Sequence, residues 1–169
     1  DGWQRTDYDD SGWTKGKAAF GTDNNQNIHT PWTDEYSDIW VRRTVELTAE
    51  QCEGDLYLVF SHDDACEVYI NGTKTATGIM ELVEGKRVRL DGNKAHLLKP
   101  GKNVIACHVY NKTGGALWDC GIYRNVSKGD AAIKTARQKS VDVLATNTYF
   151  IFEAGPGELD VVFTAPMVM

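Results

Sequence analysis

Positive charge is in short supply in this chain. Across 169 residues, 18 Lys and Arg stand against 24 Asp and Glu, a formal net charge of −6. No basic stripe is available to displace phosphate counterions, which excludes a nucleic-acid partner. Long apolar runs are missing as well, so no segment reads as a membrane span or a signal peptide. The chain opens on Asp1-Gly-Trp3 inside a patterned segment and stops at Met167-Val-Met169 without a polar tail. Both ends therefore read as cut points in a longer protein.

Other absences narrow the chemistry. The four cysteines, Cys52, Cys66, Cys107 and Cys120, form no Cys-x-x-Cys pair, which argues against a structural zinc site. Disulfides stay open, Cys52 with Cys120 above all, while Cys66 and Cys107 share faces with apolar neighbours and read as small buried hydrophobes. Ser11, Ser61, Ser127 and Ser140 lack the Gly-x-Ser-x-Gly setting of an activated nucleophile. No glycine loop precedes a helix to cradle phosphate. Helical patterning is confined to Thr48–Cys52 and Ala131–Lys139.

What remains is strand and turn. Apolar residues make up 41% and aromatics 10%, enough for a core that needs no staples. Period-two alternation predicts strands over Ile39–Leu47, Asp55–Phe60, Ala65–Ile70, Arg87–Leu90, Lys94–Leu98, Asn103–Tyr110 and Gly121–Arg124. Asn71-Gly72 supplies the two positive-φ residues of a tight hairpin. Many short strands with Gly and Asn turns predict two packed antiparallel sheets, a β-sandwich or jelly roll. Composition changes after Asn125. Residues 127–139 read as a linker, and residues 140–169 as strands Ser140–Phe152 and Glu158–Thr164 joined at Gly155-Pro-Gly157. A lone hairpin cannot bury its apolar face, so these strands are expected to begin a second β-domain after a first domain at 1–126.

Two resemblances follow. Tyr8-Asp-Asp-Ser-Gly-Trp13, Phe20-Gly21, Trp40-Val-Arg42, Asp63, Val68-Tyr-Ile-Asn-Gly72, Leu98 to Ala106 and Asp119-Cys-Gly-Ile122 resemble, in order and spacing, the galactose-binding-like jelly roll of multidomain carbohydrate-active enzymes. Ala136-Arg-Gln-Lys-Ser-Val141, Thr148-Tyr-Phe150 and Leu159 to Pro166 are similar to the start of the β-sandwich that precedes the helical catalytic domain of large secreted glutaminase-type proteins. Together they imply a noncatalytic accessory module that positions a hydrolytic domain, in a parent that is secreted, periplasmic or on the cell surface. The alternative is a carbohydrate-binding module. The implied partners are other domains of the same chain and a glycan, with no nucleic acid, no membrane and no cofactor.

Candidate sites compete with plainer readings. Trp32, Tyr110 and Trp118 are the expected sugar platform, since a flat ring covers the C–H face of a sugar. Asp119 and Arg42 or Arg43 are placed to bind hydroxyls, whereas Trp3, Trp13 and Trp40 occupy positions that pack the sandwich. His62-Asp63-Asp64 could do acid–base work or bind metal, against a plainer reading in which an Asp hydrogen-bonds a turn between strands. Asp9-Asp10-Ser11 could contribute oxygens to a structural calcium, but calcium needs about six to eight oxygens from several loops, and an Asx turn before Trp13 is the favoured reading. Sequons occur at Asn71, Asn111 and Asn125.

Overall fold

The structure, a computed structural model, describes residues 2–22, 28–32 and 37–125, with the strand backbones of 159–163 and 167–168. Twelve strands appear in chain order: β1 Lys15–Gly16, β2 Phe20–Gly21, β3 Thr30–Pro31, β4 Ser37–Leu47, β5 Asp55–Asp63 and β6 Ala65–Ile70. They continue with β7 Thr73–Gly78, β8 Val83–Arg89, β9 Gly101–Asn111, β10 Leu117–Asn125, β11 Leu159–Phe163 and β12 Met167–Val168. Short 3₁₀ turns occupy Glu50–Cys52 and Gly92–Lys94. No α-helix occurs among the described residues. The all-β sandwich is as the alternation predicted.

One six-stranded sheet runs β1-β12-β4-β9-β6-β7, and the other runs β3-β2-β10-β5-β8 with β11 added to β10. The long antiparallel pair β4–β9 forms the centre of the first sheet, with Trp40 opposite His108 and Arg42 opposite Ala106. In the second, β10 lies against β5 with Trp118 opposite His62. The C-terminal strands are hydrogen-bonded into these sheets, β11 along β10 and β12 between β1 and β4. The linker at 127–139 and the strand expected over Ser140–Phe152 lie outside the described residues.

Period-two alternation sends Val41, Val68, Ile70, Ile105, Leu58 and Phe60 between the sheets, where each is essentially inaccessible. Burial of such side chains stabilises by about 1.5–3 kcal/mol each before conformational entropy is subtracted. The same rule places Cys66, Cys107 and Cys120 inside, and all four thiols are free. Burial pushes the Cys66 thiol up to about 12 and that of Cys107 well above its ordinary value, which keeps both protonated. Cys52 lies on the 3₁₀ turn at Glu50–Cys52, unbonded to Cys120.

Two expectations for strands change. Lys94–Leu98 forms no strand; it follows the Gly92–Lys94 turn, with Ala95 closing the turn through its N–H on the Gly92 carbonyl. Its role is to supply Leu98 to the core and the Leu97 carbonyl to Asn71. Conversely, polar Thr73–Gly78 is an edge strand whose alternation carries few apolar residues, so periodicity passes over it.

The Asn71-Gly72 hairpin is held twice. Both residues take positive φ, 50° and 82°, which suits the turn linking twisted strands. The Asn71 amide also ties the hairpin to β9: Nδ2 donates to the Leu97 carbonyl at 2.6 Å and to Asn103 Oδ1 at 2.8 Å, and Oδ1 accepts the Val104 N–H at 2.8 Å. Fully buried Asn103 completes the network through the Lys99 and Gly101 carbonyls and the Lys99 N–H. Asn71 commits both its amide nitrogen and oxygen to this network and Asn111 is fully buried, so neither presents a free side-chain amide in the folded state. The third sequon begins at Asn125, and its remaining residues lie outside the described ones.

Because the network leaves buried partners stranded if one member is removed, Asn71→Ala is expected to lower the unfolding free energy by about 3 kcal/mol. The expected result in a urea titration is a lower midpoint at unchanged m-value.

Candidate functional site

The outer face of the first sheet carries the site. Along β4, Asp38, Trp40 and Arg42 alternate with inward Ile39, Val41 and Arg43, and so point away from the core. An outward arginine would normally be wet. Arg42 is only 1% exposed, because residues 2–14 fold across it in successive turns closed by Arg5 N–H to Gly2, Tyr8 N–H to Arg5 and Trp13 N–H to Asp10. Its guanidinium donates to the Trp3 carbonyl, to the Arg5 carbonyl at 3.0 Å and, through Nε, to Asp10 Oδ2 at 2.8 Å. The Tyr8 ring lies 5.2 Å from the guanidinium carbon. One planar fork thus satisfies two backbone carbonyls and a carboxylate while stacking on an aromatic face.

Clasped in this way, the arm brings its aromatics beside those of the sheet. Trp3 meets Tyr69 edge-on at 5.3 Å and His108 at 6.3 Å. Tyr8 meets Trp13 at 5.8 Å. Trp40 lies flat on the ring of His108, its cross-strand partner, at 4.7 Å and 3°. Between arm and sheet is an open cleft of about 670 Å³ lined by Trp3, Tyr8, Trp13, Asp38 and Trp40 with Gly12, Thr14 and Ile39. Trp40 is 40% exposed and Trp3, Tyr8 and Trp13 are half-buried, so the rings keep accessible faces. At one side Asp38 Oδ2 is 2.7 Å from His108 Nε2. A half-buried carboxylate among aromatic rings offers both stacking surface and directional acceptors, the combination small-molecule sites use.

This placement differs from the expected platform. Trp118 is fully buried and Trp32 is 7% exposed; both belong to the core between the sheets. The reason is parity: Trp118 shares the inward side of β10 with Cys120 and Ile122. Asp119 therefore faces outward on the second sheet, away from the aromatic cleft, where burial of its carboxyl raises its pKa well above the usual carboxylate range. Tyr110 lies on the outer face directly across from Asp38, beside the cleft. Arg42 is next to the cleft too, but its donors hold the arm. Arg43 points inward, and desolvation lowers its guanidinium to about 10. Trp3, Trp13 and Trp40, taken from sequence as packing residues, are the ones that line the opening. Alternation within Ser37–Leu47 carries a signal for Trp40, since it shares the outward parity of Asp38 and Arg42.

The other clusters resolve structurally. Asp64 Oδ2 accepts the N–H groups of Lys112 at 2.6 Å and Thr113 at 3.3 Å, bracing the loop between β9 and β10. His62 is fully buried, with Nδ1 3.0 Å from the Asp64 carbonyl and its ring stacked on Phe60. Asp9 Oδ1 accepts the Ser11 N–H at 3.0 Å, an Asx turn, and Asp10 serves Arg42. Among the described residues, no group of three or more His, Cys, Asp and Glu is placed to hold a metal ion. No described helix is long and apolar enough to cross a membrane.

No known protein family matches the chain, and no curated protein matches it. Solved structures that resemble part of it include a β-glucuronidase from Ruminococcus gnavus, at a TM-score of 0.40 and 22% identity over 48% of this chain and 13% of that one. The same enzyme in complex with D-glucuronic acid gives 0.38 and 24%, again over 48% of this chain and 14% of the other. The matched region is thus a small part of those chains, and a likeness at this level assigns no activity.

Two outcomes test the arrangement. Arg42→Ala strands the Asp10 carboxylate and two carbonyls, and is expected to destabilise the fold by about 3 kcal/mol. Hydrogen exchange should show the amides of residues 3–13 losing protection before the core does, and Arg42→Lys, lacking the fork, should restore only part of it. The pH dependence follows from His62, whose pKa burial holds below its ordinary 6.5. The unfolded chain takes up that proton first, so the stability from the neutral ring is complete above the unfolded value and is lost as pH falls toward the folded one. His62→Gln should flatten the loss of stability that sets in as pH falls below about 6.5 in thermal melts.

Proposed function

We propose that this chain is a noncatalytic β-sandwich module of the galactose-binding-like type that binds carbohydrate in the cleft between its N-terminal arm and the outer face of β4 and β9. The observation that carries the reading is the cleft itself: Trp3, Tyr8, Trp13 and Trp40 around the Asp38–His108 pair. Sugar rings present a C–H face to an aromatic plane and hydroxyls at their rim. Trp40 supplies the most exposed plane, and Asp38 the nearest charged acceptor. Residues held by a buried clasp are also preorganised, which reduces the entropy lost on binding. The glutaminase-type parent implied by residues 136–166 draws no support from this cleft, and most of that segment lies outside the described residues.

A second reading has its own observation. Ile79, Met80 and Leu82 are 69%, 49% and 60% exposed on the β7–β8 loop. Clustered exposed apolar side chains suit contact with another domain of the same protein. The two readings use different surfaces and are compatible in one module.

Calorimetric titration against a panel of soluble oligosaccharides tests the first. Binding to at least one neutral or basic oligomer is expected, weakened about tenfold or more by Trp40→Ala, which corresponds to about 1.4 kcal/mol. Trp118→Phe, a core change, should alter the melting temperature and leave the affinity within about twofold. Turnover of any glycan, or binding indifferent to Trp40, would contradict the reading.

A further inference from the structure

We infer that the cleft selects sugars carrying a free amino group, that is, glucosamine-type oligomers, over their N-acetylated and acidic counterparts. The inference rests on the carbohydrate-binding reading above and adds the ligand's charge.

Four observations point the same way. Four of the described residues lining the cleft are aromatic, and the only ionisable side chain among the other described lining residues is the carboxylate of Asp38, whose Oδ2 is paired with His108 at the cleft's edge. An ammonium group is attracted to the negative face of such rings, Trp above all. Of the two Asp38 oxygens, Oδ2 is engaged by His108 Nε2 at 2.7 Å, while Oδ1 makes no hydrogen bond among the described residues. An ammonium carries three donors and no acceptor, so it matches a carboxylate oxygen within an aromatic enclosure. No Lys or Arg is among the described lining residues, and the one guanidinium beneath the Tyr8 ring is neutralised by Asp10 and fixed by two carbonyls. The net charge of −6 provides a long-range field of the same sign. A uronate would instead bring its carboxylate toward Asp38, and like charges brought together at a site oppose binding. An N-acetyl group removes the charge and two donors.

The test is a calorimetric titration of the intact chain at mildly acidic pH with three probes of equal length: a glucosamine oligomer, its fully N-acetylated form and a uronate oligomer. The glucosamine oligomer is expected to bind about tenfold more tightly than the N-acetylated one, with the uronate weakest. Asp38→Asn should bring the first ratio close to one. In the unmodified protein, raising salt to about 1 M should shrink the same ratio, which keeps the inference testable if the variant fails to fold. Equal or tighter binding of the N-acetylated or acidic oligomer, or a ratio indifferent to both salt and Asp38→Asn, would overturn the amino-sugar preference and leave carbohydrate binding standing. Absence of binding by every oligomer would overturn both.

Discussion

The arrangement depends on one buried cation placed where a surface residue would be expected. Arg42 projects from the solvent side of β4, and the arm at residues 2–14 folds over it, so that its guanidinium lies between Tyr8, Asp10 and the carbonyls of Trp3 and Arg5. A desolvated guanidinium is unfavourable unless nearly every donor finds an acceptor. That requirement works in both directions: the arm satisfies the arginine, and the arginine fixes the arm. Without regular secondary structure of its own, the arm has few other reasons to hold one path across the sheet. The cleft is a consequence, because Trp3, Tyr8 and Trp13 reach the sheet surface only while the arm is in place.

The sandwich supplies the rigid floor. The β4–β9 ladder extends from Ser37 to Leu47 without a register shift, so Asp38, Trp40 and His108 hold fixed relative positions. Trp40 and His108 are stacked cross-strand partners, and Asp38 orients the imidazole from two residues away. Such same-face pairs contribute to the sheet as well as to the site. On the opposite side of the ladder, Val41, Ile105 and Cys107 anchor the strands in the core. The same alternation therefore serves burial on one side and display on the other.

Much of this was legible from residue patterning. Alternation in Ala65–Ile70 and Asp55–Phe60 identifies the inner face, and Asn71-Gly72 marks its hairpin. The Asx turn at Asp9–Ser11 and the bracing role of an Asp in His62-Asp63-Asp64 follow from short-range chemistry. The site was less legible, for a physical reason. Alternation tells inward from outward, but does not reveal that a loop distant in sequence covers an outward position. Arg42, expected from sequence to bind sugar hydroxyls, is instead buried by a partner some thirty residues earlier in the chain. Trp32 and Trp118 were expected in a platform because a flat ring covers the C–H face of a sugar; the inward parity of Trp118 with Cys120 and Ile122 was the stronger signal. Edge strand Thr73–Gly78 escaped notice because its partner on one side supplies the pairing and its side chains need little burial.

The central claim is that ligand contact falls on the clasped arm and the face of β4, and spares the tryptophans of the core. The five tryptophan indoles offer a direct reading by two-dimensional NMR during titration with an oligosaccharide that binds. The account predicts that the indole N–H signals of Trp3, Trp13 and Trp40 shift together and saturably, while those of Trp32 and Trp118 stay in place. Saturable shifts confined to Trp32 and Trp118 would contradict it.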